Sequence, residues 1–249
     1  MTSLPGRKSP DAICRAAYLF MLRETRLKGL SPAQVRRSAQ ELSEPAGGIM
    51  RVRDAACRPT GVALGCPLPD PRAARRWWRI ARLVDGYLAA LRPGDSPAFA
   101  YVPPALYHTT LLNYTHFDES AADAIHPLTP DEWQQTARAV AGLRPGPITL
   151  ECQGLILTHS GRLLVTGFPA DDSLYRLRAG IAAAVPGLRT HIPETVHLKL
   201  GHLLVLPPEG TLAGLLAFVA RCGQHISARL TFTALHTPLG DIPLVGGSG

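Results

Sequence analysis

No apolar run in this chain approaches the roughly 20 residues that a membrane-spanning helix needs. The longest of any weight, Leu212 to Ala220, has the size of an amphipathic helix. Cysteine is sparse as well: Cys14, Cys57, Cys66, Cys152 and Cys222 are scattered, odd in number and without a C-x-x-C spacing. That pattern speaks against a disulfide framework or a zinc ribbon and for buried, reduced thiols. A G-x-S-x-G elbow, a P-loop and a dinucleotide-binding glycine pattern are all missing, so the signatures of the commonest hydrolase, nucleotidase and dehydrogenase folds are not found. The stretch Met1 to Asp11 carries Pro5 and Pro10 and lacks the apolar core of a secretion signal. A cytoplasmic location is the expectation.

Length and charge supply the first positive information. With 249 residues, 46% of them hydrophobic, the chain can bury a core that needs no covalent staple. The formal net charge of +7 is unevenly spread: residues 1–92 hold 17 Lys and Arg against 7 Asp and Glu, while residues 93–249 hold 9 against 12. A basic front half suits an anionic partner, or it is a solvated basic surface.

Pattern and punctuation divide the chain at about residue 50. Residues 1–50 read as an N-terminal helical extension, with one helix over Ala12 to Glu24 and a second opened by Ser31-Pro32. Residues 51–249 read as the main domain. Gly61 to Leu68 is a short strand, and Pro71 to Leu91 is the clearest helix, with Trp77, Ile80, Val84, Tyr87, Leu88 and Leu91 on one face. Arg72, Arg75, Arg76, Arg79 and Arg82 line its other face, a possible basic contact surface, and Trp78 beside them could stack on a base. Strands follow at Phe99 to Val102, Leu106 to Thr115, Ile148 to Thr158, Arg162 to Phe168, Thr195 to Leu206 and Ala228 to Leu235, with a short one at Ile242 to Val245. Helices are expected from Thr129 to Leu143, from Asp171 or Asp172 to Val185, and from Thr211 to Arg221. Strands and helices mix without strict alternation, which predicts an α+β fold with mainly antiparallel sheets.

Two strands carry related motifs. Tyr107-His108-Thr109-Thr110-Leu111-Leu112-Asn113 has a near-copy 89 residues on, Val196-His197-Leu198-Lys199-Leu200. Strand side chains alternate between faces, so His108 shares a face with Thr110, and His197 with Lys199. His202 is expected to point away from His197. Imidazole is the side chain suited to both removing and donating a proton near neutral pH. Two of them flanking a phosphodiester can activate a nucleophile and protonate the leaving oxygen. Thr110 and Lys199 then contact the non-bridging oxygens. Lys199 beside His197 can depress its pKa, which would favour His197 as base and His108 as acid, an assignment the sequence leaves open.

These paired motifs resemble those of the two-histidine phosphoesterase superfamily, which includes the 2′-5′ RNA ligases and RNA cyclic phosphodiesterases. The resemblance covers about Arg51 to Val245. It implies a bilobal, pseudo-two-fold α+β fold whose antiparallel sheets line a central cleft, with helices outside. It also implies an enzyme that needs no cofactor and acts on a 2′,3′-cyclic phosphate or a 2′-5′ linkage, with His108 and His197 catalytic and Thr110 and Lys199 binding phosphate. RNA ends or nucleotides with a cyclic or 2′ phosphate would be its partners, met by a monomer away from membranes. Lys199 departs from the family, which usually has Thr or Ser there. That departure keeps open a non-catalytic protein of the same fold that binds RNA or a nucleotide phosphate. Tyr107 and Tyr114 are candidates for base stacking, although core packing is the simpler use of either. His191, His197 and His202 invite a metal reading, but with His197 and His202 on opposite faces and no carboxylate cluster nearby, no metal is expected.

Overall fold

The computed structural model describes residues 10–41, 63–92, 98–113, 130–184, 195–237 and 240–244. Within them, all strands join one antiparallel sheet and six α-helices pack around it, an α+β architecture. The strands are β1 (Ala63–Pro67), β2 (Phe99–Tyr101), β3 (His108–Asn113), β4 (Ile148–Leu157), β5 (Arg162–Pro169), β6 (Val196–Leu203), β7 (Ser227–Phe232), β8 (Ala234–Thr237) and β9 (Gly240–Pro243). Their order is β7-β4-β5-β6-β3-β1-β8-β9. β2 pairs with the second half of β6, beyond β3, so β2 and β3 share one flank of β6. Between them Pro103 and Pro104 start a single 3-10 turn, Pro104–Leu106, because proline cannot continue the hydrogen-bond ladder.

The helices are α1 (Pro10–Lys28), α2 (Pro32–Glu41), α3 (Pro71–Leu91), α4 (Pro130–Leu143), α5 (Ser173–Ala184) and α6 (Leu212–Gly223). Local chemistry sets their starts. Asp70 accepts from the Arg72 amide at 2.8 Å ahead of Pro71, and Ser31 Oγ accepts from the Gln34 amide at 3.3 Å ahead of Pro32. Asp171 accepts from the Ser173 amide at 2.8 Å, and its bonds to Ser173 hold its carboxyl below the usual range. The β4–β5 hairpin turns at Gly161, whose φ of +82° suits glycine. The single strand expected over Ala228 to Leu235 is instead two. Thr233 leaves the ladder, its carbonyl accepting from the Leu244 amide at 2.8 Å, so β7 pairs with β4 while β8 crosses to β1.

Pairing register tells the two faces of the sheet apart. Tyr101 pairs with Gly201, which pairs with Leu163. The Tyr101 ring packs on Trp78 at 4.8 Å, and its hydroxyl donates to Asp85, so α3 covers the Leu163 face. α6 joins it there, with Gly223 against Leu155, the partner of Val165, and Phe218 stacked on Tyr87 of α3 at 4.4 Å. Trp77, Val84 and Leu88 are fully buried beneath α3. α1 and α2 also join the core, through Cys14, Tyr18 and Val35. His159 Nδ1 donates to the Gly29 carbonyl at 2.6 Å, fixing the α1–α2 corner to the hairpin turn. The expected boundary near residue 50, Tyr114 and His191 lie outside the described residues.

Gly201 marks a close approach of β6 to β2. A Cβ there would run into the Phe99 ring and the Ala100 carbonyl oxygen. Gly201→Ala is therefore expected to lose about 2–3 kcal/mol in urea unfolding. Gly86→Ala in α3, with no atom within 4 Å of the new Cβ, should gain up to about 1 kcal/mol. Equal stability of the two variants would contradict this packing.

Candidate functional site

The two motif strands lie side by side. Thr109 of β3 pairs with Leu198 of β6, and both are buried, at 2% and 0% exposure. In an antiparallel ladder the next positions then place His108 opposite Lys199 and Thr110 opposite His197, on the other face. On that face His108 is exposed, and Thr110, His197 and Lys199 are partly buried. The Thr109–Leu198 pair acts as a local two-fold centre that exchanges His108 with His197 and Thr110 with Lys199. The two histidines are diagonal neighbours, a spacing of about 7–8 Å between strand positions that leaves room for a phosphate group. β5 extends the same face, because Thr166, Leu164 and Arg162 pair with His197, Lys199 and His202.

Each imidazole is anchored differently. His108 Nδ1 donates to the Leu106 carbonyl at 2.9 Å, so Nε2 is the atom left to exchange a proton. A carbonyl at Nδ1 accommodates both the neutral and the protonated ring. His197 Nδ1 lies 3.2 Å from the buried Thr195 hydroxyl, which can serve either tautomer. Burial above all, then the charges of Arg162, Lys199, His108 and Arg178, lower the pKa of His197 from 6.5 to about 4. The direction agrees with the sequence expectation, but Lys199 ranks behind desolvation and Arg162.

Two further arginines belong to this neighbourhood, and neither stood out in the sequence. Arg178 of α5 is 1% exposed, donates to the Thr110 carbonyl at 3.2 Å and lies 5.7 Å from the centre of the Tyr175 ring. Arg162 opens β5 with an exposed side chain. A hairpin-turn arginine and a helix arginine carry no local signal; only the pairing of β5 with β6 and the docking of α5 on β3 bring them here. On the β5 side, Phe168 lies two residues beyond Thr166 on the histidine face. Arg15 of α1 sits over its ring at 4.6 Å and Tyr18 meets it edge-on at 5.4 Å, so α1 borders the site. The Tyr18 hydroxyl donates to the Val196 carbonyl, one residue before His197, and accepts from the Gly167 amide at 3.1 Å; burial holds its pKa well above the ordinary phenol value.

Several sequence expectations need correction. His202 does not point away from His197, because the β5–β6 register shifts at Leu163/Leu164 and leaves Leu200 as an extra residue. That bulge turns His202 onto the histidine face. The geometric objection to a metal reading therefore fails, although among the described residues no group of three His, Cys, Asp or Glu gathers to hold an ion. Tyr107 is 1% exposed and belongs to the core, so its ring has no open face for a base. Trp78 is partly buried and packs on Tyr101, on the sheet face opposite the histidines. The exposed Arg72, Arg75, Arg76, Arg79 and Arg82 stand on α3, which covers the sheet face opposite the histidines. Arg76 donates to the Ser227 carbonyl.

The buried imidazoles make stability depend on pH. His202 is lowered further, to about 2, by burial and then by Lys199 and Arg162. The unfolded chain takes up these protons below about 6.5 and the folded chain does not. Stability is thus fully present above pH 6.5 and is lost as pH falls toward 4, by about 1.4 kcal/mol per pH unit for each buried ring. Urea unfolding between pH 4.5 and 7.5 should show this slope, and His202→Gln should remove one ring's share. An unchanged slope in the variant would contradict the buried neutral His202.

Comparison with known proteins adds little beyond a likeness of shape. No family model matches the sequence, and no curated protein matches it. Among solved structures, the chain is similar to TT0787 of Thermus thermophilus, at 14% identity and a TM-score of 0.46, over 75% of this chain and 99% of that one.

Proposed function

We propose that this protein is a phosphoesterase that opens a 2′,3′-cyclic phosphate, or cleaves a 2′-5′ linkage, at an RNA end or nucleotide by paired-histidine acid–base catalysis. The observation that carries this reading is the Thr109–Leu198 register, which gives two adjacent strands one imidazole each on the same face. His197, kept neutral by burial and its cationic neighbours, is the base. It takes the proton of the attacking water as the oxygen bonds to phosphorus. His108 gives its Nε2 proton to the departing ribose oxygen as the P–O bond breaks, while Leu106 holds its Nδ1. The positive charge of Lys199 and the Thr110 hydroxyl meet the charge that builds on the non-bridging oxygens. No step in this scheme draws on a metal ion. A bound anion also offsets the cations around His197, so its basicity rises in the complex.

The test is a short RNA ending in a 2′,3′-cyclic phosphate, incubated in EDTA with wild type, His108→Ala and His197→Ala. Wild type should open the ring, and each variant should lose about 100-fold or more in kcat. The pH dependence of kcat/KM should rise on an acid limb near about 4 set by His197. In Lys199→Thr that limb should move toward neutrality, because one cation beside the ring is gone. Loss of the same limb in both histidine variants would overturn the role assignment. Binding of a 2′-phosphorylated end without any turnover would favour the non-catalytic reading, centred on Lys199.

A further inference from the structure

The bulge at Leu200 changes what β6 presents to a ligand. Without the extra residue, position 201 would stand opposite Arg162; with it, His202 does. His202 is 5% exposed, and its Nδ1 has no hydrogen-bond partner among the described residues. Buried ring nitrogens ordinarily have one. The exposed Arg162 side chain stands directly across from this ring, and Lys199 is the preceding residue of β6 on the same face. One same-face step along a strand is about 7 Å, so this group lies beyond the histidine pair, on the far side of Lys199. A cation, a second cation and an unsatisfied imidazole in one corner have the chemistry of an anion site.

We propose that Arg162 and His202, with Lys199 between them and the histidine pair, form a second subsite that binds a further phosphate of the same ligand. The substrate class is then a nucleotide or RNA end bearing two phosphates, and not a lone cyclic mononucleotide. This rests on the reading of His108 and His197 as the place of the first phosphate. Arg162 supplies the charge at the exposed rim. His202 Nδ1–H, on the buried floor, donates to a phosphate oxygen and gains the partner it lacks.

Calorimetric titration of the full chain with adenosine 2′-monophosphate and adenosine 2′,5′-bisphosphate at one ionic strength tests this without turnover. Wild type should bind the bisphosphate at least about tenfold tighter. Arg162→Gln should bring that ratio below about twofold. His202→Gln should lower it as well, and in wild type only the bisphosphate should shift the His202 ring resonances in NMR spectra. Equal affinities in wild type, a ratio that survives Arg162→Gln, or no binding of either compound would each overturn the subsite. The two readings fail separately: a bisphosphate preference without ring opening removes the chemistry and keeps the subsite, and ring opening without a preference does the reverse.

Discussion

The pairing of Thr109 with Leu198 is the contact on which the arrangement of the site depends. Both side chains are buried on the face away from the histidines, so the register of β3 on β6 is fixed by apolar burial on one face and expressed as chemistry on the other. A slip of one residue in β6 would bury His197 and Lys199 and expose Leu198. The core does more than hold the strands together, because its register keeps His108, Thr110, His197 and Lys199 on one face and sets His108 opposite Lys199.

Electrostatics reinforces that division. Arg162, Arg178 and Lys199 act with His108 to keep His197 neutral, and desolvation adds the largest share. In the proposed reaction a bound phosphate would bring negative charge beside His197 and raise its basicity. The arginine stripe on α3 plays no part in this, since the sheet stands between it and the histidines.

Irregularity in β6 matters as much as its regular part. Its first half alternates as a strand should, with Val196 and Leu198 inward and His197 and Lys199 on the histidine face. At Leu200 one residue is unpaired, Gly201 fits against the Phe99 ring, and His202 arrives on the face from which plain alternation would exclude it. The close approach that only glycine permits and the turned imidazole thus follow from the same bulge.

Much of this was legible in the sequence. Ser31-Pro32 and Asp70-Pro71 mark helix starts because side-chain oxygens satisfy amides that a helix leaves open, and the helical spacing of Trp77, Ile80, Val84 and Leu88 names the buried face of α3. The two His-x-(Thr or Lys) motifs could be placed on strand faces because alternation is local. Local patterning was thus enough for the helices, most of the strands and the candidate histidines, but not for the break at Thr233 that splits β7 from β8. Only the tertiary structure decided that the motif strands are neighbours, that α3 turns its arginines to the opposite side, that Tyr107 is core, and that Arg162, Arg178 and His202 join the site. Each of those facts depends on which strands pair and in what register. That choice is made by burial across the whole sheet, where a single extra residue reverses the facing of everything after it.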